Sequence, residues 1–170
     1  MTSLPLLIRP ELAEDAQAID RLHARAFGPG RYARTPYRLR EGVGHFANLS
    51  FTALVGTFLV GSVRIGPVRV GTKDALMLGP LTVDPSFENR GIGSALMRRG
   101  LDAARDGGHA LVLLVGDAPY YARFGFQRVP PGVLTLPGPV DPARVLWCEL
   151  SKSTLAETSG AVVRPPSRKV

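Results

Sequence analysis

Pro80-Leu-Thr-Val-Asp-Pro-Ser-Phe-Glu-Asn-Arg-Gly-Ile-Gly-Ser-Ala-Leu-Met-Arg-Arg-Gly100 is the stretch on which the reading of this chain turns. An apolar strand ends at Asp84-Pro85, a polar loop follows, and Arg90-Gly91-Ile92-Gly93-Ser94 opens a helix. The first N–H groups of a helix lack intrahelical partners, and the aligned peptide dipoles make that end partly positive. Glycines remove the side chains that would hold an anion away, so the backbone of Asn89 to Ser94 can close on a pyrophosphate. Arg90 adds a full charge at the mouth. The helix that follows is amphipathic: Ile92, Leu96, Met97, Leu101, Ala103 and Ala104 share one broad face, and Gly107-Gly108 stops it.

Composition narrows the classes around this turn. A chain of 170 residues, 45% of them hydrophobic, is read as one globular domain, residues 1–152, with a flexible tail from 153 to 170 rich in small, basic and proline residues. No apolar run approaches the length of a membrane span, and Met1 to Pro10 lacks the basic start and cleavage pattern of a signal peptide. The single cysteine, Cys148, excludes an internal disulfide and favours a reducing, cytoplasmic setting; in its apolar strand it reads as a packing residue. The net charge is +7, but the arginines are scattered and no basic run is interleaved with aromatics, which argues against nucleic acid as a partner. His23, His45 and His109 do not fall at metal-ligand spacing, so no metal is expected.

Taken in order, the pattern predicts a strand at Leu6–Arg9 and a helix over Glu11–Phe27 with Leu12, Ala16, Ile19, Leu22, Ala26 and Phe27 inward. A short helix at 35–40 and a glycine-containing loop at 41–48 come next. Strands at 50–55 and 58–65 flank the turn Gly56-Thr57, with a bend at Gly66-Pro67, and a strand at 75–83 leads into the organising turn. Ala110–Val115 reads as a central strand, Pro119–Arg123 as a short helix, and Val145–Leu150 as the last strand.

Glu88-Asn89-Arg90-Gly91-Ile92-Gly93 resembles the coenzyme-A loop of the GNAT superfamily of N-acetyltransferases, Gln/Arg-x-x-Gly-x-Gly/Ala. Both glycines match, and Glu88 departs from the first position. About thirty residues on, Tyr121-Ala-Arg-Phe-Gly125-Phe126 resembles the family's second signature, Tyr-x-x-x-Gly-Phe. The order of elements agrees over roughly residues 5–150. The resemblance implies an α/β (α+β) GNAT fold, a mixed central β-sheet of about six to seven strands with helices on both faces. It implies acetyl-CoA as co-substrate, a small-molecule or peptide amine as acceptor, and a monomer or homodimer. It implies that Leu81, Thr82 and Val83 pair with the pantetheine arm through their backbone, and that Tyr121 lies near the thioester sulfur and protonates the departing thiolate. A phenol, protonated at neutral pH, suits that role. Many family members carry an asparagine upstream of this tyrosine; here Gly116-Asp117 stands in that region.

Two other readings compete with the enzyme. One is a module of the same fold that holds acyl-CoA without turnover, which Glu88 and the missing asparagine keep open. The other is a dinucleotide turn at Gly91-x-Gly93; Leu96 stands where its third glycine belongs, and the glycines do not directly follow the strand. Glu41, His45 and Asp84 are candidate bases for removing a proton from the amine. The acceptor would be chosen by residues 31–48 and 129–143, where Arg31, Arg34, Arg38 and Arg40 favour a carboxylate or phosphate on it.

Overall fold

The computed structural model describes residues 5–28 and 35–166. Strand β1 (Leu6–Pro10) pairs antiparallel with β2 (Phe51–Val55), β2 with β3 (Phe58–Val70), and β3 with β4 (Lys73–Val83). The parallel neighbour of β4 is β5 (Leu111–Val115), which pairs antiparallel with β8 (Val145–Glu149). Short β6 (Gln127–Arg128) closes that edge, while β7 (Leu134–Thr135) and β9 (Gly160–Val163) pair with each other. The path β1-β2-β3-β4-β5-β8-β6 has the seven strands expected of a mixed sheet, and β9 and β7, off that path, extend it to nine among the described residues. Helix α1 (Ala16–Phe27) packs on β3 and β4, and α3 (Ile92–Asp106) lies across β2, β3 and β4. Short α2 (Thr35–Arg40) and α4 (Ala118–Tyr121) complete the set.

The α3 contact depends on two missing side chains. A Cβ at Gly61 of β3 would sit 3.0 Å from Leu96 Cδ1, and one at Gly100 of α3 would sit 3.0 Å from Ile65 Cδ1. Glycine in a helix interior costs about 1 kcal/mol against alanine. Here it brings the helix close enough for Leu96, Met97 and Ala104 to be completely buried.

The helix expected from Glu11 begins only at Ala16, after a 3-10 turn at Ala13–Asp15. The Glu11 N–H is taken by the Ser50 carbonyl at 2.9 Å, which ties this backbone to the sheet. Asp15 fixes the turn by accepting from the Leu12 N–H at 2.8 Å and from both terminal nitrogens of Arg9 at 2.7 and 3.0 Å. Leu12, expected inward, is therefore exposed, while His23 is buried. The bend expected at Gly66-Pro67 is also corrected, because β3 runs unbroken from Phe58 to Val70. The irregularity lies opposite, in β4: Val63 faces Leu81 and Ile65 faces Leu78, so Gly79-Pro80 carries one extra residue as a bulge.

Within the expected flexible tail, Leu155–Glu157 and Gly160–Val163 carry regular structure. Residues 155–157 form a 3-10 turn, and β9 pairs Val162 with Val70 and Val163 with Arg69. Val162 is 1% exposed, packed in the cluster that holds Val68, Met77 and Trp147. Burial of Val162 and Thr158, with backbone hydrogen bonds from Gly71 N–H to the Ala161 carbonyl at 2.8 Å and from Gly160 N–H to the Val133 carbonyl at 2.9 Å, ties down a segment whose composition reads as disordered. Val162→Ala should lower unfolding stability by about 2 kcal/mol in urea titration. A change within about 0.5 kcal/mol, the range of surface substitutions, would return this segment to the status of a loose tail.

Candidate functional site

Strands β4 and β5 are paired only at Leu76↔Val112 and Met77↔Leu113. Beyond that point β4 follows β3 to Val83, and β5 follows β8 to Val115. The strands part, and a cavity of about 450 Å³ opens between Leu78–Leu81 on one side and Leu114–Asp117 on the other. Tyr120 and Tyr121 of α4 line it, with Tyr37 and Arg40 of α2. A second cavity of about 580 Å³ lies against the loop before α3 and shares Leu81, Tyr120 and Tyr121 with the first. A third, of about 180 Å³, shares Tyr37, Arg40, Gly79 and Pro80 with the first and is lined further by His45 and Arg64. The three form one row, and the two tyrosines stand where the first two meet.

The loop cavity contains most of the residues the sequence singles out. Leu81, Val83, Glu88, Asn89, Gly91, Ile92, Gly93 and Ser94 all line it. Asn89 (φ 61°) and Gly91 (φ 77°) take the left-handed conformation, which asparagine and glycine tolerate best. Such turns aim successive N–H groups into one concavity that suits an anion. The first intrahelical bond in this turn runs from the Ala95 N–H to the Gly91 carbonyl, so the N–H groups before Ala95 remain for a ligand. The Ile92 side chain is buried in the core, so only its backbone can serve.

Arg90 and Thr82 are not among the residues that line this cavity. Arg90 is exposed, its guanidinium 5.1 Å from the Phe87 ring, and Arg123 of the turn after α4 is the arginine that lines the loop cavity. Thr82 is buried at 4% exposure, across from Ser62 in β3, so only its backbone is available to a ligand along this edge.

Tyr121 packs its ring edge-on to Phe126, with centroids 6.1 Å apart, and lies 4.9 Å from the Tyr120 ring. Burial pushes its pKa up to about 12, Tyr120 adding to the shift and Arg144 opposing it. Tyr120, which the sequence left aside, has a site role of its own: a Cβ on Gly93 would stand 2.9 Å from its hydroxyl oxygen. Tyr120 therefore bridges α4 to the first turn of α3. Gly116 is explained by the same packing, because a Cβ there would run into the Tyr121 ring.

The candidate bases separate. The Glu41 side chain is exposed, and its carbonyl accepts from Arg164 at 3.0 Å. Asp84 caps the following turn by accepting from the Ser86 N–H at 2.9 Å and pairs with Arg25 at 3.2 Å. His45 alone of the three lines the row of cavities, with Nε2 3.2 Å from Glu11 Oε1. Burial lowers its pKa below the ordinary 6.5, Glu11 opposing and Arg64 assisting. Cys148 is buried in β8, and burial raises its thiol pKa. Among the described residues no cluster of His, Cys, Asp and Glu has the form of a metal site.

Residues 16–126 match the acetyltransferase (GNAT) family. The chain belongs to that family. It is 36% identical over 125 residues to the uncharacterized N-acetyltransferase YhbS of Escherichia coli K12, a match spanning 72% of this chain and 74% of that protein. The crystal structure of E. coli YhbS with CoA superposes with a TM-score of 0.82 at 29% identity, covering 97% of this chain and 92% of that one. A GNAT acetyltransferase from Brucella melitensis with acetyl-CoA gives 0.71 at 25% identity, covering 95% and 97%. The chain is thus an acyltransferase with the GNAT fold, and among its described residues no helix is long and apolar enough to cross a membrane.

The Gly116 contact gives a check on how this GNAT site is built. Gly116→Ala should cost about 1–3 kcal/mol, as overpacking does, because the Tyr121 ring must move. Combined with Tyr121→Ala, which empties that space, the pair should be less destabilising than the sum of the singles by at least about 0.5 kcal/mol in urea titration. Simple additivity would show that the ring does not rest on Gly116.

Proposed function

We propose that the chain transfers an acetyl group from acetyl-CoA to a primary amine of a small-molecule or peptide acceptor, directly, with both substrates bound together. The observation that carries this reading is the pair of cavities meeting at Tyr120 and Tyr121. One is bounded by backbone suited to phosphates, and the other opens through the parted strands. Two substrates entering from opposite ends can then meet without a covalent enzyme intermediate, and Cys148, buried with a raised pKa, offers no competing nucleophile.

The residues fit the group the reading requires. The N–H groups of Asn89 to Ser94 would hold the pyrophosphate, as the left-handed Asn89 and Gly91 and the bare α-carbon of Gly93 allow. The backbone of Leu81, Thr82 and Val83, on the β4 edge turned from β5, would pair with pantetheine amides as an added strand does. Acetyl-CoA supplies the acetyl group as a thioester. In the transfer the amine nitrogen gives up a proton and bonds the carbonyl carbon, the C–S bond breaks, and the sulfur takes a proton. Tyr121 holds a proton throughout the physiological range and gives it to the sulfur. His45, held neutral at pH 7, takes the proton of the incoming amine through the inner cavity.

Tyr121→Phe should lower kcat about 100-fold or more while leaving acetyl-CoA affinity unchanged. Because its phenol ionises only near 12, wild-type kcat should show no alkaline loss from this group up to about pH 10. The acid side carries the opposite sign: kcat/KM should rise with pH through a step below 6.5 as His45 becomes neutral, and His45→Gln should abolish that step. Acetyl-CoA binding without turnover across a broad amine panel would leave a binding module instead. An unchanged pH profile in His45→Gln would remove His45 as the base.

A further inference from the structure

Arg40 is a half-buried cation that the transfer chemistry does not use. It ends α2, and its guanidinium faces β4 at the bulge, where Nη1 would stand 3.1 Å from a Cβ on Gly79. It borders both the central cavity and the inner cavity behind it. Its planar face lies 4.7 Å from the Tyr37 ring centroid. Burial lowers its pKa to about 10, Tyr37 opposing and Arg64 assisting, so the group still carries its charge at neutral pH.

The chain pairs its other partly buried arginines with care. Arg64 gives Glu11 two hydrogen bonds, 3.1 and 2.7 Å, and Arg9 gives Asp15 two, 2.7 and 3.0 Å. Arg40 makes no ion pair with any described carboxylate, and residues 29–34, just upstream, contain no acid. Glu11, the acid nearest this end of the row, is already engaged by Arg64 and His45. In the central cavity the one lining carboxylate is that of Asp117, which is exposed, and Arg144 brings a second cation without an acid partner. A guanidinium partly withdrawn from water with no carboxylate beside it is poised to take an anion from a ligand, and its fork matches carboxylate and phosphate oxygens two at a time.

We propose that Arg40 is the specificity residue of the acceptor site, and that the acceptor is a small primary amine bearing a carboxylate or phosphate, whose anion docks on Arg40 while its amine reaches the junction at Tyr121. The proposal rests on the acetyltransferase reading above and narrows it. Of the four arginines that the sequence offered for this role, Arg31 and Arg34 lie outside the described residues, and Arg38 is exposed. Arg40 is the one enclosed by the cleft.

The test measures acetyl-CoA-dependent thiol release with matched acceptors. The twenty amino acids and β-alanine are set against their carboxamides, and phosphoethanolamine against ethanolamine. Wild type should favour the anionic member of at least one pair by tenfold or more in kcat/KM, and the two anion types distinguish carboxylate from phosphate. Arg40→Met should erase that preference, mainly through KM, with acetyl-CoA affinity by calorimetry and melting temperature kept. Arg40→Lys should restore part of it. Should no acceptor turn over, the CoA complex is titrated with the N-acetylated products of both members of each pair. Binding of an anionic product to wild type but not to Arg40→Met supports the proposal. Equal handling of both members, a preference only for polycations, or no binding of any anionic product overturns it while acetyl-CoA binding stands. Failure of acetyl-CoA itself to bind removes the acetyltransferase reading and this proposal with it.

Discussion

Two residue pairs, Leu76↔Val112 and Met77↔Leu113, are all that join β4 to β5, and the rest of the site follows from their being only two. Past them each strand keeps its other partner, so the sheet stays continuous on both sides of the gap. A gap in the middle of a sheet leaves one edge of backbone groups without partners, and buried backbone groups require them. A ligand with amide groups at strand spacing meets that requirement better than water does. The bulge at Gly79-Pro80 lies at the start of the gap, and the same residues border two of the cavities. The interruption of the sheet and the position of Arg40 are therefore one feature.

Charge is handled on two scales in this chain. The pairs Arg9–Asp15 and Arg64–Glu11 act as structural ties, each holding the segment before α1 to the sheet with two hydrogen bonds. Breaking one by removing a single partner would strand the other, which is why such pairs fix geometry more than they add net stability. At the loop before α3 the arrangement is different. The N–H groups before Ala95 are left without intrahelical partners, Glu88 borders the cavity, and Arg123 is the cation at hand, its guanidinium 4.7 Å from the Tyr120 ring. Of the charged residues behind the chain's net charge of +7, those that line this cavity are Glu88 and Arg123, of opposite sign. The polarity there comes from peptide dipoles.

The elements with a strong local signal were legible in the sequence. Gly91-x-Gly93 before an amphipathic run gave α3 and its N-terminal turn, Gly56-Thr57 gave the β2–β3 hairpin, and the unbroken apolar run at Leu111–Val115 gave a covered central strand. What was not legible depends on contacts between distant segments. The parting of β4 from β5 has no periodicity of its own, and the extra residue at Gly79-Pro80 is visible only against the register of β3. The start of α1 moved because Ser50, far along the chain, takes the Glu11 N–H. β9 forms because Val162 finds a cluster built from β3, β4 and β8, although its neighbours are polar and proline-rich. The exchange of Arg90 for Arg123 at the loop cavity, and the reach of Tyr120 to Gly93, are of the same kind. One signal was present and unused: Gly116, two residues before α4, marks a close approach that the Tyr121 ring makes.

If the two substrates meet in the gap between β4 and β5, coenzyme A must run through it. The crystal structure of this chain with coenzyme A tests that most directly. The pyrophosphate should lie on the N–H groups of Asn89 to Ser94, pantetheine amides should hydrogen-bond to the backbone of Leu81 to Val83, and the sulfur should sit beside Tyr121 with the cavity toward Arg40 left open. Coenzyme A bound with its pantetheine outside the gap, or with its sulfur remote from Tyr121, would contradict it.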